Sequence, residues 1–155
     1  MAETLDRTGR RAGKPIELAI PLPNAPQTKI YIRLTISATS ILLLLTTVFG
    51  GESAIKPTLG SFVYALPDRV NPGQTLCTQL YTYESSIDFT TRLAKLLARK
   101  SKIPVYVGNS MEFSSAGMGG TVEEEMAGFK AVVEVVLAEV DHLSQPSDVG
   151  IKHTS

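Results

Sequence analysis

Ile41-Leu42-Leu43-Leu44-Leu45-Thr46-Thr47-Val48-Phe49 decides the fold, because apolar residues occupy both parities of a period-two pattern. A strand covered on one face alternates apolar and polar side chains, whereas a strand covered on both faces does not. The apolar run stops at Thr46-Thr47 and Gly50-Gly51, far short of the roughly 20 residues that cross a bilayer as a helix. It therefore reads as the central strand of a sheet, and no membrane partner is expected.

Upstream, Ile30, Ile32, Leu34 and Ile36 alternate with Tyr31, Arg33, Thr35 and Ser37, a strand with one apolar face. Before it, Ile16, Leu18, Ile20 and Leu22 alternate with Glu17 and Ala19 up to the cluster Pro21, Pro23 and Pro26, which suits an edge strand. Downstream, residues 50–58 read as a loop and residues 61–66 as a fourth strand. Pro67-Asp68 and Asn71-Pro72-Gly73 mark a turn, and residues 75–83 form a fifth strand. Leu76, Thr78 and Leu80 are expected on one side of it, and Cys77, Gln79, Tyr81 and Tyr83 on the other. Five strands before any helix predict an antiparallel sheet of the α+β type.

The first helix is expected after Ser85-Ser86, with Ser85 and Asp88 spaced as a capping box. Phe89, Leu93, Ala94, Leu96 and Leu97 make its apolar stripe, while Arg92, Lys95, Arg99 and Lys102 recur on the opposite side. Pro104 ends it, and Val105-Tyr106-Val107 supplies a short sixth strand. A Gly- and Ser-rich connection over residues 108–120 leads to a second helix with Thr121 as N-cap. Glu123, Glu124 and Glu125 suit the positive end of its dipole. Val122, Met126, Phe129, Val133, Val136, Leu137 and Val140 form its stripe, widened by Val132 and Val135, to about Leu143. Residues 1–14 and 144–155 hold little apolar content and are expected to be flexible tails around a single domain, residues 15–143.

The chain of 155 residues carries 15 basic and 15 acidic side chains, so no whole-molecule field draws it to nucleic acid. The basic N-terminal stretch has no apolar segment behind it, as a secretory signal requires. Cys77 is the only cysteine, which excludes an intrachain disulfide and fits a reducing compartment. With only His142 and His153 besides, no ligand set for a structural zinc exists. The loop Gly117-Met118-Gly119-Gly120 lies between a strand and a helix, where a phosphate-binding loop sits, but lacks both G-x-G-x-x-G and a Walker Gly-Lys-Ser/Thr. Three consecutive Glu follow it and repel phosphate. Cys77 reads as a small buried hydrophobe, Ser114-Ser115 has no base nearby in sequence, and the carboxylates are accounted for by helix ends. No catalytic, cofactor or metal site is expected.

Geometry points to a binding surface instead. Six strands at about 4.8 Å make a sheet about 29 Å wide. Two helices of about 10–12 Å diameter cover one face only. The other face is left bare, and Ile41, Leu43 and Leu45 are the residues assigned to it as partner-binding. Arg92, Lys95, Arg99 and Lys100 on the outer side of the first helix are the second assigned set, read as docking an acidic partner. The expectation is thus an α+β domain with two helices packed on one face of an antiparallel sheet and the other face used for dimerisation.

Leu93-Ala94-Lys95-Leu96-Leu97-Ala98-Arg99-Lys100, followed by Val105-Tyr106-Val107 and by Glu124-Glu125-Met126 with Phe129, resembles the proteasome assembly chaperone 4 family. Arg33-Leu34-Thr35 leading into the Ile41 strand resembles it more weakly, and the likeness covers roughly residues 29–129. Gly128 within the second-helix motif departs from the pattern, and the longer tails fit a fungal member. The resemblance implies a non-enzymatic chaperone of the cytoplasm and also the nucleus. Its partner is a similar chaperone 3 subunit, and together they help alpha subunits of the proteasome core particle form a ring, contacting the alpha subunit at position five. Residues 150–155 lack the hydrophobic-Tyr-any ending with which other proteasome chaperones enter alpha-ring pockets, so binding is expected through the folded domain. From the residues alone, a sheet-dimerising trafficking or signalling scaffold and a nucleotide-binding enzyme stand as alternatives.

Overall fold

The computed structural model describes residues 13–23, 25–50, 59–113 and 122–144. Along the chain come β1 (Ile16–Leu22), β2 (Ala25–Ile36), β3 (Ile41–Phe49), β4 (Ser61–Pro67), β5 (Thr75–Tyr81), α1 (Ile87–Ser101), β6 (Val105–Ser110) and α2 (Val122–Ser144). The expected tails, the Thr121 cap and the Gly117 to Gly120 loop lie outside the described residues, apart from residues 13, 14 and 144.

All six strands join one sheet in the order β1-β2-β3-β6-β4-β5. Every neighbouring pair is antiparallel except β3 and β6, which run parallel from Ile41 opposite Val105 to Thr46 opposite Ser110. The expected antiparallel α+β sheet is thus present, and its one parallel pair has a geometric reason. β3 and β4 run in opposite directions with one strand-width between them, so any strand filling that gap is parallel to one and antiparallel to the other. β6 fills it.

β2 shows the alternation most cleanly. Thr28, Ile30, Ile32 and Leu34 are buried while Lys29, Tyr31 and Arg33 are exposed. In β3 the buried set is Ile41, Leu43 and Leu45, at 0%, 0% and 3% exposure, whereas Leu42 and Leu44 remain 36% and 37% exposed. With Val63, Ala65, Val105 and Val107 the buried set faces one layer, capped by Phe89, Leu93 and Leu97 of α1 and Val132 and Val136 of α2. α1 packs on β4, β5 and β6, and α2 on β1 and β2. Both helices therefore lie on one face, as the width of the sheet requires.

The local signals at the helix ends differ from the sequence reading. Ser86, not Ser85, is the N-cap of α1, and its side chain makes no capping bond. Its hydroxyl instead lies 2.7 Å from Ser61 Oγ, which is fully buried and also accepts from the Tyr83 N–H at 3.0 Å. Thr90 Oγ1 donates to the Ser86 carbonyl at 2.6 Å, and Asn109 Nδ2 donates to Thr90 Oγ1 at 3.2 Å. Asn109 Oδ1 accepts from the Met111 N–H at 2.9 Å, so a buried polar chain ties the start of α1 to β4 and β6. At the other end Lys102 stands in the left-handed region, φ 60°, and its N–H closes the helix on the Ala98 carbonyl.

In α2 the fully buried line is Gly128, Val132 and Val136 at i, i+4, i+8, while Val122 and Met126 are exposed, at 72% and 66%. The expected stripe is thus correct in its middle and wrong in its first turn. A Cβ on Gly128 would lie 2.9 Å from the Phe113 ring, so that ring packs directly on the glycine. The β4–β5 turn is held by Asp68, which accepts from Val70 N–H at 2.8 Å and Asn71 Nδ2 at 2.9 Å. The Asn71 bond first, then that of Val70, keeps this carboxyl below its ordinary pKa.

Leu93 and Leu97 are wholly buried in α1. Leu93→Ala and Leu97→Ala should each cost about 2–5 kcal/mol. Denaturant melts of both variants check this, and unchanged midpoints contradict the packing.

Candidate protein-docking surfaces

Three surfaces are available to a partner: the open sheet face, the outer side of the helix layer and the sheet edges. On the open face stand the side chains whose parity is opposite to the core. They are Tyr31 and Arg33 of β2, Leu42 and Leu44 of β3, Tyr106 of β6, and Phe62, Tyr64 and Leu66 of β4. The Phe62 and Tyr106 rings are stacked at 6.1 Å, and Tyr64 and Tyr106 lie 4.5 Å apart, an aromatic ridge across the middle of the sheet.

Beside the ridge is a concavity of about 480 Å³, walled by Tyr31, Leu44 and Leu59 and floored by small residues including Ala19, Gly108 and Ser110. A Cβ on Gly108 would lie 2.7 Å from Leu44 Cδ2, so Leu44 packs directly over the glycine. Leu44 therefore reaches across β6. At the far side of the concavity Arg33 Nε faces Glu17 Oε1 at 3.8 Å, an exposed pair that closes the apolar area with charge.

The residues assigned to this face from sequence, Ile41, Leu43 and Leu45, are not on it. They belong to the buried set under the helices, and the other parity of the same strand, Leu42 and Leu44, takes their place. Both parities are apolar, so nothing within the strand says which faces the helices. The aromatic ridge and the Gly108 floor had no motif to announce them, although the strand alternation of Tyr106 and Gly108 against Val105 and Val107 carries the signal.

On the helix layer, Arg92, Lys95, Arg99 and Lys100 are all exposed on α1, with Asp88 the single acidic residue of that helix. Arg92 Nη2 faces Glu125 Oε1 of α2 at 3.7 Å, so one member of the basic set is shared between the helices. α2 carries the opposite sign, with Glu123, Glu134 and Asp141 exposed against Lys130. The helix layer thus presents a basic ridge beside an acidic one.

No group of three or more His, Cys, Asp and Glu that could hold a metal occurs among the described residues. Cys77 on β5 is half-buried, and burial raises its thiol pKa against the opposing pull of Lys95.

A sequence model of the proteasome assembly chaperone 4 family matches residues 29–111, more than half of the chain. The chain belongs to that family. The match spans β2 to β6 and so takes in the β3–β6 pair, the aromatic ridge and α1. Among solved structures, a chain of a chaperone complex for yeast 20S proteasome assembly shares the fold at a TM-score of 0.60 and 22% identity. The superposition covers 82% of this chain and 97% of that one. No curated protein sequence matches it. Family membership makes the chain a proteasome assembly chaperone.

Leu42→Glu with Leu44→Glu places two carboxylates on the open face without touching the core. The double variant should retain its melting temperature within a few degrees while binding far less of a dye for apolar surface. A large loss of stability, or unchanged dye binding, contradicts the assignment of this parity to the open face.

Proposed function

We propose that the protein works as one half of a two-chain chaperone, with the open sheet face covered by a structurally similar chaperone 3-like subunit. The observation that carries this reading is the apolar ridge and hollow of Phe62, Tyr64, Tyr106, Leu42 and Leu44 on a sheet whose other face is already buried. About 29 Å of sheet width and strands of about 23 Å give some 650 Å² of projected face, near the about 800 Å² per partner of a standard interface. Two such sheets pack about 10 Å apart with side chains interdigitating. A ridge beside a hollow suits a partner of the same fold, since each chain can seat its ridge in the other's hollow.

The pair then assists formation of the proteasome alpha ring by binding an alpha subunit, the one at position five in the family reading. With the open face occupied by the partner, the helix layer stays accessible, and Arg92, Lys95, Arg99 and Lys100 are the residues that meet acidic groups of that client. The protein is not an enzyme in this reading, holds no cofactor, and works in the cytoplasm and nucleus. Co-purification tests it directly: tagged protein should carry both a chaperone 3-like chain and an alpha subunit. Recovery of trafficking or signalling proteins in their place favours the scaffold alternative and overturns the reading.

Exposed charges contribute only about 0–1 kcal/mol each to stability, whereas complementary charge across an interface speeds association. Reversal of all four basic residues to Glu should therefore leave the fold and the chaperone pair intact and slow capture of the alpha subunit, most at low salt. Unaltered capture rates show that this ridge is only solvated.

A further inference from the structure

The two edges of the sheet are unlike. β1 carries Pro21 within the strand, Pro15 and Pro23 at its ends and exposed Glu17, all devices that blunt an edge against further pairing. β5 has none of them. Thr75-Leu76-Cys77-Thr78-Gln79-Leu80-Tyr81 holds no charge and no proline, and Leu76, Leu80 and Tyr81 are 54%, 52% and 53% exposed.

The register fixes which backbone groups are free. Asp68 N–H donates to the Gln74 carbonyl at 3.0 Å, and the pairing continues with Leu66 opposite Leu76 and Tyr64 opposite Thr78. Bonded and non-bonded pairs alternate in an antiparallel ladder, so Leu76 and Thr78 bond inward to β4. Thr75, Cys77 and Gln79 turn their N–H and C=O groups to the open edge. The bulge near Tyr81 ends the regular stretch.

What flanks this edge defines its occupant. On one side lies α1, which packs on β5, with Lys95 close enough to Cys77 to act on its thiol and exposed Arg99 one turn further along the helix. On the other side the edge continues the apolar open face through Leu76, opposite Leu66. A second copy paired through β5 brings two basic α1 helices together, which like charge opposes.

We propose that β5 pairs with an extended segment of a protein partner in which acidic residues, facing Lys95, alternate with apolar residues, facing the open sheet side. Main-chain bonds supply the affinity and the alternating side chains the specificity. The site borders the chaperone-pair interface proposed above, at its β5 margin, and does not require it.

The probe is an eight-residue peptide alternating Glu and Val, labelled for fluorescence anisotropy against the full-length protein. It should bind, weaken at least tenfold when N-methylated at every second amide along one edge, and weaken similarly when Lys replaces Glu. Thr75→Pro and Gln79→Pro remove outward N–H groups and should abolish binding with the melting temperature held, whereas Thr78→Pro removes an inward one and should lower stability. Lys95→Glu should reverse the preference between the Glu and Lys peptides. Absence of binding, or equal binding of the methylated peptide, overturns the proposal. So does concentration-dependent self-association that Gln79→Pro removes, because it gives the edge to a second copy.

Discussion

The parallel pairing of β3 with β6 is the constraint on which the rest of the structure depends. It seats a strand late in the sequence between two early ones, so the sheet cannot close until α1 has carried the chain back across the face of β4, β5 and β6. That passage buries Leu93 and Leu97 on Val63, Val105 and Val107, and it fixes the side on which the helices lie. The buried chain from Ser61 through Ser86 and Thr90 to Asn109 stitches the same three elements. Removing Asn109 from it leaves the Met111 N–H without the side-chain oxygen it donates to, which is costly in a dry interior.

Once the helices are committed to one face, the other is a consequence. Tyr106 and Gly108 come to the middle of the sheet because β6 does, and only there can Tyr106 meet both Phe62 and Tyr64 while Leu44 folds over Gly108. An apolar face of this size on a small domain calls for a covering.

The element types and the layer arrangement were legible in the sequence because alternation in β2 and the helical spacing of Phe89, Leu93 and Leu97 are strong local signals. The strand order was not, since nothing local tells β6 that it will sit beside β3. The parity of β3 was lost for the reason that made the strand easy to find: apolar residues on both sides identify an interior strand and conceal which side is which. Ile41, Leu43 and Leu45 were placed on the wrong face accordingly, while Arg92, Lys95, Arg99 and Lys100 were placed correctly on the surface by the amphipathic pattern of α1. The Ser85 cap failed because the N-cap falls one residue later, at Ser86, whose hydroxyl meets Ser61 and does not cap the helix. In α2 the first-turn positions Val122 and Met126 kept the spacing of the stripe and still point to solvent.

The central claim is that the open sheet face is where a second chaperone chain docks. Hydroxyl-radical footprinting of the protein alone and in its co-purified pair tests this residue by residue. Tyr31, Leu42, Leu44 and Tyr106 should lose most of their reactivity in the pair, while Met126 and His142 on α2 keep theirs. Protection of α2 with the open face still reactive contradicts the account.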